Sequence, residues 1–244
     1  MDDGYFADKL NLMIVRERPD SFVLVRQQDH ALVSGEFARH WTESPCPYER
    51  AVFAVKNHDM AWKGPDSSVR WNDESDRPYS FVDYPAEEKV AAYTEGLNWL
   101  ESEDAYAACL CSMHYERLMR EFGRSDTDAQ FAGAESRRQE RLRQDMSQEE
   151  LDNLERNLGL LRLCDGLSLF VCLNEPGSSG YPPPYPGGFR FDGETFEPVW
   201  EDSDALRLDP NPFSGPFGVS IPYEEVDPAG KPMGSGWINV RVIL

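Results

Sequence analysis

The sequence has few cysteines, few lysines and no long apolar run. Its five cysteines form no Cys-x-x-Cys pair, and their odd number argues against a disulfide framework. No stretch reaches the ~18 to 20 apolar residues that a membrane-spanning helix requires. No apolar signal segment follows the N-terminus. These absences predict a cytoplasmic protein with no membrane partner and with buried, reduced thiols.

Basic charge is also scarce. The chain carries 24 basic and 44 acidic residues, a formal charge of -20. Such a surface repels the phosphate backbones of nucleic acids and the head groups of anionic membranes. We therefore expect a small-molecule substrate as the partner and no nucleic acid, while homo-oligomerisation stays open.

The chain is long enough and apolar enough to fold around a large core. It has 244 residues, of which 40% are hydrophobic and 12% aromatic. The pattern predicts a mainly α fold: a helical core with N-terminal strands over residues 1–174. Residues 175–244 are predicted to be a Pro/Gly-rich linker and a β-rich extension packed on the same domain. We expect this extension to form a small antiparallel β element with the N-terminal strands.

Helical periodicity and start signals locate the predicted helices, and short β-branched runs locate the strands. A first helix starts near Asp29, and a capping box at Ser147 opens the last one, which runs to about Leu173. The remaining helices are predicted over residues 51–62, 86–101, 104–122 and 124–146. Strands are predicted over residues 13–17, 22–25, 189–191, 218–221 and 237–244.

Histidine and aspartate side chains in apolar helical segments indicate a metal site. His58 and Asp59 are adjacent on an apolar helix, and His30 lies at the start of another. Asp165 occupies a third apolar helix, where burial of a carboxylate costs several kcal/mol unless a cation meets it. Nitrogen and oxygen ligands of this kind suit a divalent ion such as Mn, Fe, Zn or Mg.

A purely structural interpretation of each of these residues stays open. The alternatives are a hydrogen-bonded core pair for His58 and Asp59, a helix-start residue for His30, a partner of Arg162 or Arg117 for Asp165, and a core residue for His114.

A long aromatic segment over residues 64–85 follows the His-Asp pair. Loops of this length inside a compact domain are usually functional, so we expect a wall or lid over the metal. Asp66 and Asp83 in it are candidates for orienting water. The predicted substrate pocket consists of Trp62, Trp71, Tyr79, Phe81 and Tyr84.

Several short motifs together resemble a known family. The motifs are Gln28-Asp-His30-Ala31, His58-Asp-Met-Ala-Trp62, Pro78-Tyr-Ser-Phe81, Ser112-Met-His114 and Cys164-Asp-Gly-Leu-Ser-Leu169. They resemble a prokaryotic domain-of-unknown-function family, number 3891, over residues 13–172. The order His30, His58-Asp59, Asp165 also resembles the HD-domain superfamily of helical metal-dependent phosphohydrolases. That resemblance implies an HD-like helical core and these four residues as metal ligands.

The chain departs from the superfamily where many members contact phosphate. Those members carry Gly-Lys shortly after the His-Asp pair, whereas this chain has Ala61-Trp62 and places Lys63 one position later. One helix position turns a side chain by about 100°. Lys63 is still a candidate phosphate contact, and Trp62 suggests an apolar, ring-binding wall.

The leading hypothesis is a hydrolase of a small phosphate ester or nucleotide that acts through a metal-bound hydroxide. His114 would be a second-metal ligand or a general acid, Lys63 would neutralise charge, and Asp66 would orient water. One alternative is a non-catalytic HD-like module that senses a ligand or binds a protein. Another is a di-iron oxygenase, which needs a further histidine between the His-Asp pair and the last Asp besides His114.

Overall fold

A computed structural model describes residues 13–67, 69–178 and 187–244. The predictions for the N-terminal segment and for most of the Pro/Gly-rich linker fall on residues 1–12 and 179–186, outside the described residues. Helices make up 50% of the structure and strands 25%, and the strands include a seven-stranded sheet curled into a half-barrel. The prediction of a mainly α, HD-like fold with only a small β element is therefore wrong, and the chain is not all-alpha.

Six α-helices of at least ten residues lie in the described part of the chain. They are α1 (Gln27–His40), α2 (Tyr48–Asn57), α3 (Ala86–Glu103), α4 (Ala105–Phe122), α5 (Asp126–Arg143) and α6 (Gln148–Leu173). The capping box predicted at Ser147 is confirmed, because its hydroxyl accepts from the Glu150 amide and the Glu150 carboxylate accepts from the Ser147 amide. None of these helices is both long and apolar enough to cross a membrane.

The second predicted helix differs most from the structure. It was expected over residues 51–62, but α2 starts earlier and ends at Asn57. The chain turns at His58 and Asp59 and continues as two short 3-10 turns, Met60–Lys63 and Pro65–Ser67. The His-Asp pair thus sits just after a helix instead of inside one.

The large sheet combines strands from both ends of the described chain. The strands are β1 (Met13–Arg18), β2 (Ser21–Arg26), β5 (Phe189–Phe191), β6 (Glu194–Trp200), β7 (Ala205–Asp209), β8 (Phe217–Val226) and β9 (Pro232–Val242). Their order is β1-β2-β8-β9-β7-β6-β5, and all pairs are antiparallel except β7 with β9. A separate hairpin, β3 (Trp71–Asn72) and β4 (Arg77–Pro78), lies within the aromatic segment.

Alternation along the long C-terminal strands explains why the sheet covers a core. In β9 the side chains of Ile238, Val240 and Val242 are buried, whereas those of Asn239 and Arg241 between them are exposed. A strand with one buried face shows this period of two. The buried face packs against the helices, so the sheet forms the second layer of the fold.

Helix α6 is the centre of the helical layer. It contacts α1, α2 and α4, and also β1 and β5 of the sheet. From Leu158 to Cys172 most of its side chains are buried, among them Cys164 and Asp165. The prediction of buried thiols is confirmed for Cys164, Cys172, Cys109 and Cys111, all of which are free. A carboxylate at Asp165 therefore lies deep in the molecule.

Candidate metal centre

Five ionisable side chains converge at the middle of the helical layer. His30 comes from the first turn of α1, His58 and Asp59 from the turn after α2, His114 from α4 and Asp165 from α6. The residues are between 1% and 7% exposed. Four separate segments thus bring the predicted metal ligands and His114 into one buried cluster.

The three histidines point the same nitrogen at the Asp165 carboxylate. The Nε2 atoms of His30 and His58 lie 3.8 and 3.5 Å from Asp165 Oδ1, and that of His114 lies 3.7 Å from Oδ2. Asp59 Oδ2 is 2.8 Å from His30 Nε2 and 3.5 Å from His58 Nε2. One ligand atom each from His30, His58 and Asp165 lies within 4.8 Å of the others, a spacing at which one ion contacts all three.

The backbone fixes the orientation of the His58 ring. Its Nδ1 donates a hydrogen bond of 2.7 Å to the Val55 carbonyl. Nε2 therefore faces the cluster, and this buried atom has no hydrogen-bond partner among the described residues. A histidine that ligates a metal commonly donates its other ring N–H to a carbonyl in this way.

A tyrosine next to His114 supports the turn that carries the His-Asp pair. The hydroxyl of Tyr115 donates to the His58 carbonyl and lies 3.4 Å from Asp59 Oδ1. Its ring stacks on Tyr93, with 4.0 Å between the centroids. Burial raises the pKa of Tyr115 well above the ordinary value, so it holds its proton and acts as a donor.

Burial and mutual charge shift the pKa values inside the cluster. Burial alone would lower the pKa of His58, but the Asp59 and Asp165 carboxylates outweigh it and raise the pKa to about 9. Burial would raise the pKa of Asp165, yet its contact with His58 and the charges of the nearby histidines lower it to about 2. His114 shows the opposite balance, because burial dominates and lowers its pKa to about 4.

These donors fit a divalent cation. The cluster offers imidazole nitrogens and carboxylate oxygens without a thiolate, a set that suits Zn, Mn or Fe and leaves Mg as a harder alternative. Two buried nitrogens, His58 Nε2 and His114 Nδ1, have no hydrogen-bond partner in the part of the chain that the structure describes. Buried polar atoms are rarely left unpaired, and a bound ion would satisfy the one that faces the carboxylates.

The residues proposed as alternative partners of Asp165 are engaged elsewhere. Arg162 forms an ion pair of 2.8 Å with Glu121, and Arg117 one of 2.5 Å with Glu155. The close ionic contacts of Asp165 among the described residues are all with histidines. This arrangement favours a cation site at Asp165 over an arginine pair.

Asp66 lies beside the cluster but has a different environment. Its Oδ2 accepts a 2.6 Å hydrogen bond from the Gln27 amide at the start of α1. Burial raises the pKa of this carboxyl to about 8, and the nearby Asp59 charge adds to the effect. Asp66 therefore caps the start of α1, and this hydrogen bond links the aromatic segment to the helix that carries His30.

The other residues predicted for the site are spread over several environments. Lys63 is exposed at the surface. Trp62 is 1% exposed and packs edge-on against Tyr84 and Tyr93 in the core. Tyr84 also contacts Tyr79, and Phe81 is partly buried against the same core.

Trp71 belongs to a separate small cluster. Its ring packs against Phe22, with 5.8 Å between centroids, beside Met13 and Leu24 of the sheet. The structure therefore does not gather the five predicted pocket aromatics into one group.

Sequence reasoning missed the serines behind His30. The Nδ1 atom of His30 forms a hydrogen bond with Ser168 Oγ, and Ser168 Oγ lies 2.8 Å from Ser34 Oγ. Both serines are fully buried. Their spacing was a usable signal, because Ser34 lies four residues after His30 and Ser168 three after Asp165, each on the same helix face as the ligand.

Fold and centre together define a helical layer backed by a curled sheet, with a buried His-Asp cluster at its middle. The family model described as a protein of unknown function, DUF3891, matches residues 13–228. The chain belongs to this family. No curated protein and no solved structure matches the chain.

Proposed function

We propose that this protein is a metal-dependent hydrolase of a small phosphate ester or nucleotide. The observation that carries the proposal is the convergence of three imidazole Nε2 atoms on the Asp165 carboxylate, two of which, those of His30 and His58, also face the Asp59 carboxylate. Clusters of this composition typically hold a divalent ion. The ligand order, His30, His58-Asp59, Asp165, is also that of HD-domain phosphohydrolases, and this likeness is part of the proposal.

His30, His58, Asp59 and Asp165 would hold the ion. When bound, a divalent ion lowers the pKa of a water ligand towards ~7 and polarises the scissile group. Both aspartate side chains are 10% exposed, more than the rings of His30 and His58 at 1%. Substrate would therefore approach from the side of the carboxylates.

His114 would act on the water or the leaving group. Its Nε2 faces Asp165 Oδ2, the oxygen on the other side of the carboxylate from His30 and His58. With a pKa lowered to about 4 by burial, the ring is neutral at pH ~7 and offers one N–H and one lone pair. Such a ring suits orientation of the attacking water.

Elemental analysis of the purified protein tests the proposal first. We expect about one equivalent of a transition metal in the wild type. The Asp59→Ala variant should lose most of it, because the change removes a ligand. His40→Ala is the matched control, since His40 hydrogen-bonds the Glu36 carbonyl and stacks on Phe217 away from the cluster. Equal metal content in wild type and Asp59→Ala would reject the centre.

Turnover of a phosphoester panel tests the second half of the proposal. Metal-free protein would be reloaded separately with Mn²⁺, Fe²⁺, Zn²⁺ and Mg²⁺, and hydrolysis compared with that of Asp59→Ala. We expect turnover that depends on the added ion and is absent in the variant. Metal binding without turnover on any substrate would reject the hydrolase.

That last outcome would instead support a metal-stabilised, non-catalytic module that senses a ligand or binds a protein. The observation that favours this second candidate is the depth of the centre. Counting backbone and side chain together, His30, His58 and His114 are at most 2% exposed, and Asp59 and Asp165 are each 7% exposed. A structural metal site is typically closed in this way, whereas a catalytic one keeps an open position.

A further inference from the structure

Two histidines of the centre are held from behind by groups with different hydrogen-bonding capacities. The Nδ1 atom of His58 faces the Val55 carbonyl, which only accepts hydrogen bonds. The Nδ1 atom of His30 faces the Ser168 hydroxyl, which both donates and accepts. The Val55 contact therefore fixes a hydrogen on His58 Nδ1, whereas the Ser168 contact permits either state of His30 Nδ1.

The opposite nitrogen of His30 shows where one hydrogen of the metal-free ring lies. Nε2 lies 2.8 Å from Asp59 Oδ2, the length of a hydrogen bond to a carboxylate. A carboxylate oxygen accepts only, so Nε2 carries a hydrogen there. In the neutral ring Nδ1 then has the lone pair, and the Ser168 hydroxyl donates to it.

A metal on His30 Nε2 requires the other tautomer. A ligating nitrogen gives its lone pair to the ion, so the hydrogen of the neutral ring must lie on Nδ1. Ser168 then accepts from Nδ1, and its own hydrogen turns to the Asp165 carbonyl, 3.0 Å away. Ser34 Oγ, 2.8 Å from Ser168 and 3.2 Å from the His30 carbonyl, has an acceptor in both arrangements.

We propose that Ser168 is a positioning residue that lets His30 exchange tautomers when the centre binds its metal. The proposal rests on the proposed metal centre. Rotation of one hydroxyl satisfies the buried ring in both states, and no side chain has to move. Neither an apolar residue nor a carbonyl at this position would serve both states.

Binding of Zn²⁺ to four forms of the full-length protein tests this role. We expect Ser168→Ala to bind Zn²⁺ ~10- to 100-fold more weakly than the wild type, the usual effect of removing a group behind a metal-ligating histidine. Ser168→Thr keeps the hydroxyl and should restore binding. Ser112→Ala is the matched control, because it removes an equally buried hydroxyl that bonds Glu135 of α5, and its Zn²⁺ affinity should stay close to that of the wild type.

A ¹H–¹⁵N spectrum of the histidine rings provides a readout that needs no variant. The chain has four histidines, so the ring signals are few enough to assign. We expect the His30 hydrogen on Nε2 without metal and on Nδ1 with Zn²⁺ bound, while His58 carries a hydrogen on Nδ1 in both states.

The outcomes separate this role from the metal centre itself. Equally tight Zn²⁺ binding by wild type, Ser168→Ala and Ser112→Ala would overturn the role of Ser168 alone. A His30 ring with its hydrogen on Nδ1 in both states would do the same. Absence of Zn²⁺ binding by the wild type would overturn the proposed centre and, with it, this role.

Discussion

Helix α4 carries two buried polar clusters on different faces, and they are built differently. On one face Ser112 donates a 2.8 Å hydrogen bond to Glu135 of α5 and accepts one of 3.2 Å from Gln139. Two residues further along, the Nε2 atom of His114 lies 3.7 Å from Asp165 Oδ2, and within residues 13–67, 69–178 and 187–244 its Nδ1 has no hydrogen-bond partner. The first cluster is closed by hydrogen bonds within the protein, whereas the second is open.

The difference separates a structural cluster from a candidate site. In the α4–α5 cluster, Glu135 lies against both Ser112 and Arg138, and Gln139 also donates a 2.7 Å hydrogen bond to Glu116. In the centre, the distances from the three histidine nitrogens to Asp165 are 3.5 to 3.8 Å, longer than hydrogen bonds. Burial alone does not distinguish the two clusters, but the distances to the central carboxylate do: Glu135 lies within 2.9 Å of Ser112 and Arg138, whereas Asp165 lies at least 3.5 Å from each of the three histidine nitrogens.

The largest expected effect is that of replacing His114, the residue of α4 that faces the centre. If His114 acts on the water or the leaving group, His114→Ala should lower turnover by roughly 10² to 10⁴ while metal content stays near that of the wild type. Ser112→Ala, on the other face of the same helix, should leave turnover unchanged. Loss of metal in His114→Ala would favour a ligand, as in a di-iron oxygenase, and a loss of stability alone would favour a core residue.

Metal binding should stabilise the open cluster and not the closed one. At a free Zn²⁺ concentration ~100 times the Kd, the free energy of unfolding should rise by about 2.7 kcal/mol, which a chelator should reverse. Asp165→Asn should abolish this increase, because it removes the carboxylate that faces all three histidines. Thermal unfolding with and without Zn²⁺ measures the effect, and an undiminished increase in Asp165→Asn would contradict the assignment.

Asp66 offers a test of pH dependence. Burial raises the pKa of its carboxyl from 3.8 to about 8, so the folded protein holds a proton that the unfolded chain releases. This contribution to stability is complete below about pH 4 and is lost as the pH rises through about 8. In metal-free protein, Asp66 should lower the free energy of unfolding by at most ~1.4 kcal/mol for each unit by which the pH rises.

The Asp66→Asn variant isolates that slope. Its amide carbonyl still accepts from the Gln27 amide but does not titrate, so the stability difference between wild type and variant should decrease as the pH rises from about 5 to about 8. Urea unfolding at several pH values measures this difference. Parallel curves for the two proteins would show that Asp66 does not titrate in this range.

The smallest expected effect belongs to the closed cluster. Glu135→Gln keeps an acceptor for Ser112 but removes the charge that faces Arg138, so we expect a loss of about 1 kcal/mol in the free energy of unfolding. Zn²⁺ affinity should not change. A weakened Zn²⁺ affinity in Glu135→Gln would show that the two clusters are energetically coupled.

The boundaries of the helices were predictable where local sequence signals mark them. Helix α3 starts at Ala86 directly after Pro85, and the capping box at Ser147 starts α6, so both starts match the prediction closely. The helix predicted over residues 51–62 was wrong at its C-terminal end. There the Nδ1–H of His58 bonds back to the Val55 carbonyl, and an apolar periodicity does not report such a turn.

The sheet was underestimated because its pairing is not local. Strand β6 contains Pro198 and two glutamates, Glu194 and Glu197, and an acidic turn joins β6 to β7, so neither strand has a strong β pattern. Strand β2 pairs with β8, and β7 with β9 in parallel, through registers that only the folded chain specifies. The sequence therefore predicted a β-rich extension with short strands, but not β6 or β7.

The centre was more accessible to sequence reasoning than the sheet. Histidines and aspartates in apolar segments are costly, so His30, His58, Asp59, His114 and Asp165 stood out, and the structure places all five together. The aromatic residues gave no comparable signal. Trp62 lies in the core and Trp71 packs against the large sheet, and both are ordinary environments for an apolar side chain. Serines behind a ligand are common residue types, which is why Ser168 went unnoticed.

The pairing of β2 with β8 has a consequence for how the chain reaches its native state. The Ser21 hydroxyl donates to Glu225, 204 positions along the chain. Contacts between residues so far apart close late, because the entropy of a long loop must be lost before they form. During synthesis on the ribosome, the β2 edge of the β1–β2 hairpin therefore stays unpaired until β8, near the end of the region that the family model matches, has emerged, and an unpaired strand edge is open to pairing with other chains.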